Sequence, residues 1–387
     1  MRRALARVNL AAIERNTAAV RARLAPGSEL CAVVKAEASG HGAVPVARAA
    51  LAGGARRLAV ATSGEARSLR AAGVSAPILV LGALSDEELP EALEARAELV
   101  AWTLRFVEAT RAAIERREDA RAGRRARALA PVRIHVKYDT GLGRLGTRDA
   151  QEALAVADRI DAEPALELAG AMTHLATADG DLEYARRQLR AFDAFAGRLR
   201  ERHGPLALHA ANSAATLRLP ESHLNMVRCG IALYGCDPMN EDPDPYGLEP
   251  ALELVSYVAA VKLARPGDSV GYGRRFIAGR PTWIATLPIG YADGVRRALS
   301  DNCDVLIAGR RLPVVGTVSM DNVTVDLGPR PTVKPGARAV LIGRDGALRL
   351  TVEELARRIG TIHHEVLCGI SARVPRAYHR DGEPCDG

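Results

Sequence analysis

The chain has 387 residues, of which 48% are hydrophobic and 26% charged, and its formal net charge is +7. This length is sufficient for two domains, and the composition is typical of a globular protein and not of a fibrous or disordered chain. No stretch approaches the roughly 18 uninterrupted apolar residues that a membrane span needs. Arginines alternate with acids along residues 111–127, which favours a solvated helix face over a nucleic-acid-binding surface.

The six cysteines are scattered along the chain, without a CxxC pair or a nearby histidine at ligand spacing. Neither a metal site nor a disulfide framework is therefore indicated. At the N-terminus, Arg7 and Glu14 interrupt the apolar residues before a signal-peptide core of about 7 to 15 residues can form. We expect a cytoplasmic protein that binds no metal.

Eight short apolar runs occur between residue 29 and about residue 235, separated by Ala-, Arg- and Glu-rich helical patterns such as residues 63–72, 86–96 and 184–202. The runs are ELCAVVK (29–35), RRLAVAT (56–62), PILVLG (77–82), ELVAWT (98–103), PVRIHVKY (131–138), ELAGAMTH (167–174), LALHAAN (206–212) and NMVRCGIALYG (225–235). Nearly continuous apolar runs are typical of parallel strands that are covered on both faces. An α/β fold is therefore predicted, with a (β/α)8 TIM-type barrel over residues 11–236.

The character of the sequence changes after Tyr234. A segment rich in Pro, Asp and Asn, CDPMNEDPDPYGLEP, is typical of a linker, and shorter strand-like pieces such as TWIATLPIG follow it. We predict a mainly β C-terminal domain over residues 237–387, which residues 1–10 join as a first strand. A single helix over residues 351–360 should begin with a capping box formed by Thr351 and Glu354.

Polar residues occur where the apolar runs of the predicted barrel end. They are Lys35, Lys137, Asp139, Arg144, His174, Asn212, Ser213 and Arg228. The carboxyl ends of barrel strands meet at one face, where the active sites of such barrels lie. Only four of the 53 basic residues are lysines, and two of those four stand at strand ends. The sequence therefore predicts an active site at this face.

A strand-end lysine beside other cations favours Schiff-base chemistry, because burial and neighbouring positive charge lower the pKa of an amine. The backbone N–H groups of Gly230 and Ile231, together with Ser213 at the start of a helix, are suited to binding a phosphate. A lysine and a phosphate site at one barrel mouth favour pyridoxal phosphate as the cofactor.

The segment GLGRLG, residues 141–146, satisfies the G-x-G-x-x-G pattern and raises the alternative of a dinucleotide-binding fold. It lies in the fifth unit of a regular series, and Asp139 and Thr140 separate it from the strand. A tight turn that directs Arg144 inward is the favoured interpretation.

Nine segments, taken in order over nearly the whole chain, resemble the bacterial alanine racemases, a family of fold-type III pyridoxal-phosphate enzymes. They are VVKAEASGHG, HVKYDTGLGRLG, MTHLATAD, HAANSAATLR, MVRCGIALYG, VGYGRRF, LPIGYADG, VGTVSMDNVTVDL and ISARVPR. The resemblance implies interconversion of L- and D-alanine, which supplies D-alanine for peptidoglycan. It also implies a homodimer with shared active sites.

The resemblance further implies a two-base mechanism. Lys35 carries pyridoxal phosphate and is the base for the D-enantiomer, while Tyr272, from the β domain of the partner subunit, is the base for the L-enantiomer. A tyrosine is a poor base at its reference pKa of about 10, so the resemblance assigns a hydrogen-bonded chain from Arg228 through His174 to that tyrosine.

The remaining roles also follow from the resemblance. Ser213, Gly230 and Ile231 hold the cofactor with His174 and Arg228, and Arg228 donates to its pyridine nitrogen. Arg144 and the backbone of Met320, from the β domain of the partner, bind the substrate carboxylate. Lys137 is a candidate for carbamylation, and Tyr291 for narrowing the substrate entrance.

Three alternatives remain open at this point. They are a racemase of another amino acid such as serine, a fold-type III decarboxylase, and a non-enzymatic pyridoxal-phosphate carrier. The decarboxylases lack the ASGHG-like segment and the GYGRRF tyrosine, and the carriers resemble the barrel alone.

The chain departs from the family pattern near the expected phosphate site. The family's lysine segment usually reads KANAYGHG, whereas this chain has Glu37 for the asparagine and Ser39 for the tyrosine. Ala372 stands where some members have a second phosphate-binding tyrosine, and Cys229 replaces a proline. The loss of two hydroxyls should loosen the cofactor and open space for larger substrates.

We predict that Ser39→Tyr lowers the dissociation constant for pyridoxal phosphate, because one regained hydrogen bond contributes about 1 kcal/mol net. Titration of the apoprotein with the cofactor measures this. An ordinary wild-type affinity that Ser39→Tyr does not improve would count against a weakened phosphate site.

Overall fold

The computed structural model describes residues 2–119, 130–331 and 333–387. In chain order, its strands are β1 Leu5–Asn9, β2 Glu29–Val33, β3 Arg57–Val60, β4 Ile78–Val80, β5 Leu99–Ala101, β6 Val132–Lys137, β7 Leu166–Met172, β8 Ala207–His209, β9 Met226–Cys229, β10 Leu252–Tyr257, β11 Ala260–Ala264, β12 Ser269–Val270, β13 Phe276–Ile277, β14 Thr282–Leu287, β15 Asp304–Ile307, β16 Arg310–Pro313, β17 Val323–Gly328, β18 Arg338–Asp345, β19 Leu348–Leu350, β20 Arg376–Arg380 and β21 Glu383–Pro384.

Helices occupy most of the connections in the first part of the chain. They are α1 Leu10–Ala22, α2 Lys35–Gly40, α3 Ala43–Ala52, α4 Ser63–Ala71, α5 Leu89–Glu94, α6 Leu104–Asp119, α7 Ala150–Asp161, α8 Leu182–His203, α9 Ser213–Arg218, α10 Val352–Arg358 and α11 His363–Cys368. Residues 120–127 of the predicted helical stretch lie outside the described residues. Within the described ranges, no helix is both long and apolar enough to cross a bilayer.

The chain forms two compact units. The barrel unit comprises Thr17–Ala38 and Ala47–Leu233, and the β unit comprises Met1–Asn16, Ser39–Val46 and Tyr234–Gly387. The change of composition after Tyr234 thus coincides with the last passage of the chain into the β unit. The short segment 39–46 of the β unit has no counterpart in the sequence pattern.

The barrel unit contains eight parallel strands in two four-stranded sheets. Their orders are β4-β3-β2-β9 and β5-β6-β7-β8. A bridge between Leu79 and Glu98 joins the two sheets at one side. At the other side, the N–H of Arg228 donates to the carbonyl of Ala211 at 3.0 Å. Each predicted apolar run overlaps one of these strands, so the eight-unit barrel is confirmed.

One buried cluster draws side chains from six of the eight strands and forms the interior of the barrel. Its members are Cys31, Ala59, Leu79, Val100, Met172 and Met226. Fully burying a large apolar side chain contributes about 1.5–3 kcal/mol. Alternate residues of a strand lie on the same face of the sheet. Residues two positions after these cluster members therefore also face the barrel interior, nearer the carboxyl ends of the strands.

The β unit is built on an eight-stranded sheet of order β16-β15-β18-β10-β1-β20-β21, with β19 paired to β18. β1 is antiparallel to β10 and parallel to β20, so the first strand of the chain is sandwiched between two late ones. The order of the second sheet is β11-β14-β17, and β12 and β13 form a separate pair. The mainly β C-terminal domain is confirmed.

The helix predicted near residue 351 is α10. The hydroxyl of Thr351 accepts the N–H of Glu354 at 3.1 Å, as a capping box requires. The carboxylate of Glu354 binds Arg311 and Arg358 and makes no bond back to the backbone of Thr351. Only half of the predicted capping box is therefore present.

Helix α2, which begins at Lys35, is left-handed. Four consecutive non-glycine residues, 36–39, have φ between 51° and 53°, and Gly40 has φ 85°. Left-handed backbone costs an L-residue roughly 1–2 kcal/mol, which amounts to roughly 4–8 kcal/mol for four residues. The turn therefore needs compensating contacts.

Glu65 supplies such a contact at the start of the turn. One of its carboxylate oxygens accepts the N–H of Ala36 at 2.6 Å. The other accepts the N–H groups of Ala61 and Thr62 at 2.7 and 3.2 Å. One carboxylate thus ties the residue after Lys35 to the start of helix α4.

We predict that Glu65→Gln destabilises the protein by about 1–3 kcal/mol, because the amide NH2 must face at least one of these backbone donors and leave it unpaired. Urea denaturation measures the apparent change. Glu115→Gln, on the exposed face of α6, is the matched control and should stay within about 0.5 kcal/mol of wild type. Equal effects of the two substitutions would contradict the anchoring role of Glu65.

Candidate active site

The structure gathers the predicted strand-end residues of the barrel unit. Strand β2 ends at Val33, so Lys35 is not the last strand residue but the first residue of α2. Lys137 ends β6, and His174 follows the end of β7 by two residues. The positive charges of Lys35, Lys137, Arg144 and Arg228 all act on the His174 imidazole. These five side chains form the rim cluster.

Arg228 is the buried centre of the rim cluster, with only 3% of its surface exposed. Its Nη2 donates to the carbonyls of Thr173 and Ala210 at 2.9 and 3.1 Å, and lies 3.3 Å from His174 Nδ1. Its Nη1 lies 2.8 Å from His209 Nδ1. Among the described residues, its Nε–H has no acceptor, so this buried guanidinium keeps a donor for a ligand.

The contact with Arg228 fixes the proton of His174. Burial, followed by the charges of Arg228 and Arg144, lowers the pKa of His174 well below its ordinary value, so the ring is neutral. A guanidinium can only donate, so Nδ1 is the acceptor and the single proton is on Nε2. His174 therefore presents an N–H donor on the side away from Arg228.

Lys137 is a buried amine with an unusually low pKa. Burial and the charges of Arg228 and Arg144 lower the pKa of Lys137 to about 8. No hydrogen bond or ion pair of Lys137 is found in the described part of the chain, and only 4% of its surface is exposed. A large fraction of this amine is neutral at slightly alkaline pH, which is the form that reacts with electrophiles.

The nearby carboxylate, Asp139, is used by the glycine-rich loop. It accepts the backbone N–H groups of Gly141, Leu142 and Gly143 at 2.9–3.1 Å, and Arg148 Nε at 3.0 Å. The segment 141–146 is thus a carboxylate-capped loop, and helix α7 begins only at Ala150. The G-x-G-x-x-G spacing therefore does not open a dinucleotide-binding helix.

The predicted phosphate site lies between α9 and the turn after β9. Ser213 Oγ accepts the N–H of Gly230 at 3.1 Å, so this predicted donor is occupied within the protein. The N–H of Ile231, a residue that is 4% exposed, has no acceptor among the described residues. The turn thus retains one buried backbone donor for an anion.

The three site residues predicted in the β unit are exposed. The exposed fractions of Tyr272, Met320 and Tyr291 are 74%, 52% and 43%. Backbone bonds from Tyr291 to Ser319 and from Ala292 to Met320, each 3.0 Å, join the loops that carry Tyr291 and Met320. Tyr291 is therefore not core packing.

Sequence reasoning missed the buried histidine that contacts Arg228 and the second histidine that contacts the first. His209 and His135 lie on β8 and β6, and both are at most 1% exposed. His135 is two residues before Lys137, so the two side chains lie on the same face of β6. This spacing is the signal in the sequence that could have identified His135. Glu98, the carboxylate beyond His135, carries no comparable signal.

The site has a lysine at a strand end among buried and exposed cations. It also has unpaired N–H donors at the carboxyl ends of barrel strands. These features define a (β/α)8 enzyme whose site binds an anionic ligand. Comparison with known families identifies the enzyme class. The model described as "Alanine racemase, N-terminal domain" matches residues 8–238, and "Alanine racemase, C-terminal domain" matches residues 251–378. The chain belongs to the alanine racemase family.

Individual relatives agree along the full length. An alanine racemase of Desulforamulus reducens is 42% identical over 96% of this chain and 98% of its own, and one of Geobacillus stearothermophilus is 40% identical over 97% and 93%. Among solved structures, alanine racemase from E. faecalis aligns with a TM-score of 0.89 at 35% identity, covering 98% of both chains. The Bacillus anthracis enzyme with bound L-Ala-P has a TM-score of 0.88 at 37% identity, covering 100% and 97%.

We predict that Lys137→Met stabilises the protein more at pH 7 than at pH 10.5. The amine has a pKa of about 8 when folded and 10.5 as its ordinary value, so the unfolded chain binds more protons between these values. Stability of the wild type therefore rises with pH across this window, and the variant lacks that rise of roughly 1–3 kcal/mol.

Urea denaturation in bicarbonate-free buffer measures this difference. The control is Lys262→Met on β11, where the lysine is exposed and the substitution should change stability equally at both pH values. An identical pH dependence for wild type and Lys137→Met would refute the buried, cation-flanked amine.

Proposed function

We propose that this protein catalyses the pyridoxal-phosphate-dependent interconversion of L-alanine and D-alanine. The observation that carries the proposal is the buried Arg228 guanidinium, which retains a free donor and polarises a neutral His174. Both lie in the rim cluster with Lys35. The family to which the chain belongs supports the same reaction.

The barrel unit fits the cofactor. Lys35 offers the amine, the unpaired N–H of Ile231 and the Ser213 turn offer a phosphate site, and Arg228 Nε–H offers a donor for a ring nitrogen. The cations of the rim cluster suit an anionic cofactor and substrate. When bound, pyridoxal phosphate withdraws electrons from the α-carbon of the amino acid and so makes its proton removable.

Arg228 sets the protonation of the acceptor that it faces. Burial lowers the pKa of Arg228 to about 10, so the side chain stays protonated at neutral pH. It can then donate a hydrogen bond without transferring a proton, and the acceptor nitrogen remains unprotonated. With a ring nitrogen of the cofactor as the acceptor, this would limit electron withdrawal and so favour return of the α-proton over transamination.

Racemisation needs one base on each face of the substrate. We assign Lys35 Nζ to the D-enantiomer and Tyr272 Oη of the partner subunit to the L-enantiomer, which makes a homodimer the active form. The exposure of Tyr272 in the β unit supports its use at a surface that another subunit covers. His174 Nε2–H is a suitable donor to the oxygen of that tyrosine.

The remaining groups hold the substrate. Arg144 is exposed and makes no ion pair within the described ranges, which suits it to an incoming carboxylate with the backbone of Met320 of the partner subunit. Carbamylation of Lys137 would give Arg144 an anionic neighbour, and the low pKa of this lysine supports the modification. Tyr291 is placed at the substrate entrance in this proposal.

We further propose that the reaction takes place in the cytoplasm and supplies D-alanine for peptidoglycan. All six cysteines are free thiols, and four of them are buried. Unpaired cysteines are typical of proteins from reducing compartments.

A chiral amino-acid assay with added pyridoxal phosphate tests the reaction. L-Alanine and D-alanine should interconvert, and L-serine should react more slowly. Faster turnover of serine or another amino acid would assign a different substrate on the same site. Cofactor binding without turnover of any amino acid tested would overturn the proposal in favour of a carrier.

We predict that Tyr272→Phe abolishes racemisation, because the variant has no base on the face from which L-alanine loses its proton. In D2O, the variant should still exchange the α-proton of D-alanine through Lys35 but should form no L-alanine. Mass spectrometry with chiral chromatography measures both. Tyr257→Phe on β10 is the control, and full racemase activity of Tyr272→Phe would refute the two-base assignment.

A further inference from the structure

A chain of hydrogen bonds leads from Arg228 to a carboxylate. Arg228 Nη1 is 2.8 Å from His209 Nδ1, and His209 Nε2 is 3.0 Å from His135 Nδ1. His135 Nε2 is 3.0 Å from Glu98 Oε2. All four side chains are at most 5% exposed, so they satisfy one another's hydrogen bonds without help from bulk water.

The guanidinium determines every proton position along this chain. Arg228 can only donate, so His209 must accept on Nδ1 and carry its proton on Nε2. His135 must then accept on Nδ1 and donate from Nε2, which requires an acceptor at Glu98. Burial and the charge of Arg228 lower the pKa of His209 well below its ordinary value, which agrees with a neutral ring.

Glu98 meets this requirement as an ionised carboxylate. Burial alone would raise its pKa, but the hydrogen bond from His135 and the charges of Arg57 and Arg133 hold the pKa of Glu98 below its ordinary value. Both arginines donate to Oε1. Oε2 is thereby left for His135.

The surrounding fold leaves room for this arrangement. A Cβ on Gly170 of β7 would lie 2.8 Å from His135 Nδ1 and 2.1 Å from the carbonyl of Ala207, so any side chain there would displace the ring. The two imidazoles meet edge to face, with planes 78° apart. The packing of β6, β7 and β8 therefore fixes the contact between the two histidines of this hydrogen-bond chain.

We propose that Glu98 is a positioning residue of the racemase site, which acts through His135 and His209 to fix the orientation and the hydrogen-bond direction of Arg228. Nη1 is held by this chain and Nη2 lies beside His174, so Nε–H would be left to donate to a ring nitrogen of the cofactor. The inference rests on the proposed function for what Arg228 contacts, but not for the proton order itself.

Two substitutions of Glu98 distinguish the effect of the proton positions on the two histidines from the effect of side-chain packing. In Glu98→Gln, the amide oxygen is needed by Arg57 and Arg133, so the NH2 faces His135 Nε2. Both histidines must then reverse their protons, and His209 Nδ1–H would confront Arg228. Glu98→Ala creates no such conflict, because alanine places no donor against His135 Nε2, and the removed side chain enlarges the cavity that Glu98 lines.

An isosteric substitution usually impairs an enzyme less than truncation to alanine does. Here we expect Glu98→Gln to impair it more than Glu98→Ala. Glu98→Gln should lower kcat for alanine at least about tenfold below that of Glu98→Ala. It should also weaken cofactor binding to the apoprotein and shift the absorption band of the bound cofactor. Glu29→Gln is the control, since Glu29 also pairs with Arg57 but is 48% exposed and does not contact His135.

Nitrogen NMR of ring-labelled histidine tests the proton order directly in the wild type. Two-bond couplings should show both His135 and His209 protonated on Nε2 only, with signals assigned from His135→Asn and His209→Asn. A proton on His209 Nδ1, or better kcat and cofactor binding in Glu98→Gln than in Glu98→Ala, would overturn the proposal.

These readouts also separate this inference from the proposed function. A wild-type protein that racemises no amino acid would refute the proposed reaction. The tautomers and the cofactor titrations would still decide whether Glu98 controls Arg228. Should Glu98→Gln fail to fold, the wild-type tautomers and Glu98→Ala decide the question.

Discussion

The buried charge of Arg228 is the constraint on which the rest of the barrel interior depends. The guanidinium stays protonated at neutral pH, and an unpaired buried charge is costly. Two backbone carbonyls and two histidines therefore surround it. Each of those histidines must be neutral and must accept a hydrogen bond from the guanidinium. The neighbouring strands therefore need particular side chains at the positions that face Arg228. A single permanent charge thus dictates residue choice across β6, β7 and β8.

The chemistry is distributed unevenly over the two units. The barrel unit buries Lys137 and Arg228 beside a partly buried His174 and leaves Lys35 and Arg144 exposed, whereas the β unit presents Tyr272, Met320 and Tyr291 on exposed loops. Buried groups have defined protonation states, and exposed loops can adapt to a partner surface and a substrate. This division suits the proposed reaction, in which one base belongs to the barrel unit and the other would be supplied by a partner subunit.

The strands and the rim residues were predictable, because parallel barrel strands are apolar along their whole length and active-site groups follow their ends. Two features were not. The handedness of the backbone after Lys35 leaves no mark on a hydrophobic pattern, since residues 36–39 are ordinary non-glycine residues. The contact of His135 with His209 joins positions 74 residues apart, and only the register of β6 and β8 on either side of β7 brings them together.

The left-handed turn after Lys35 also limits which sequences this segment can accept. Asparagine tolerates positive φ better than most residues, and asparagine is what the family usually has where this chain has Glu37. Branching at Cβ is least compatible with this backbone. Mutant libraries designed to widen substrate choice at residues 36–39 should therefore draw on glycine, asparagine, aspartate and unbranched side chains, and omit valine, isoleucine and threonine.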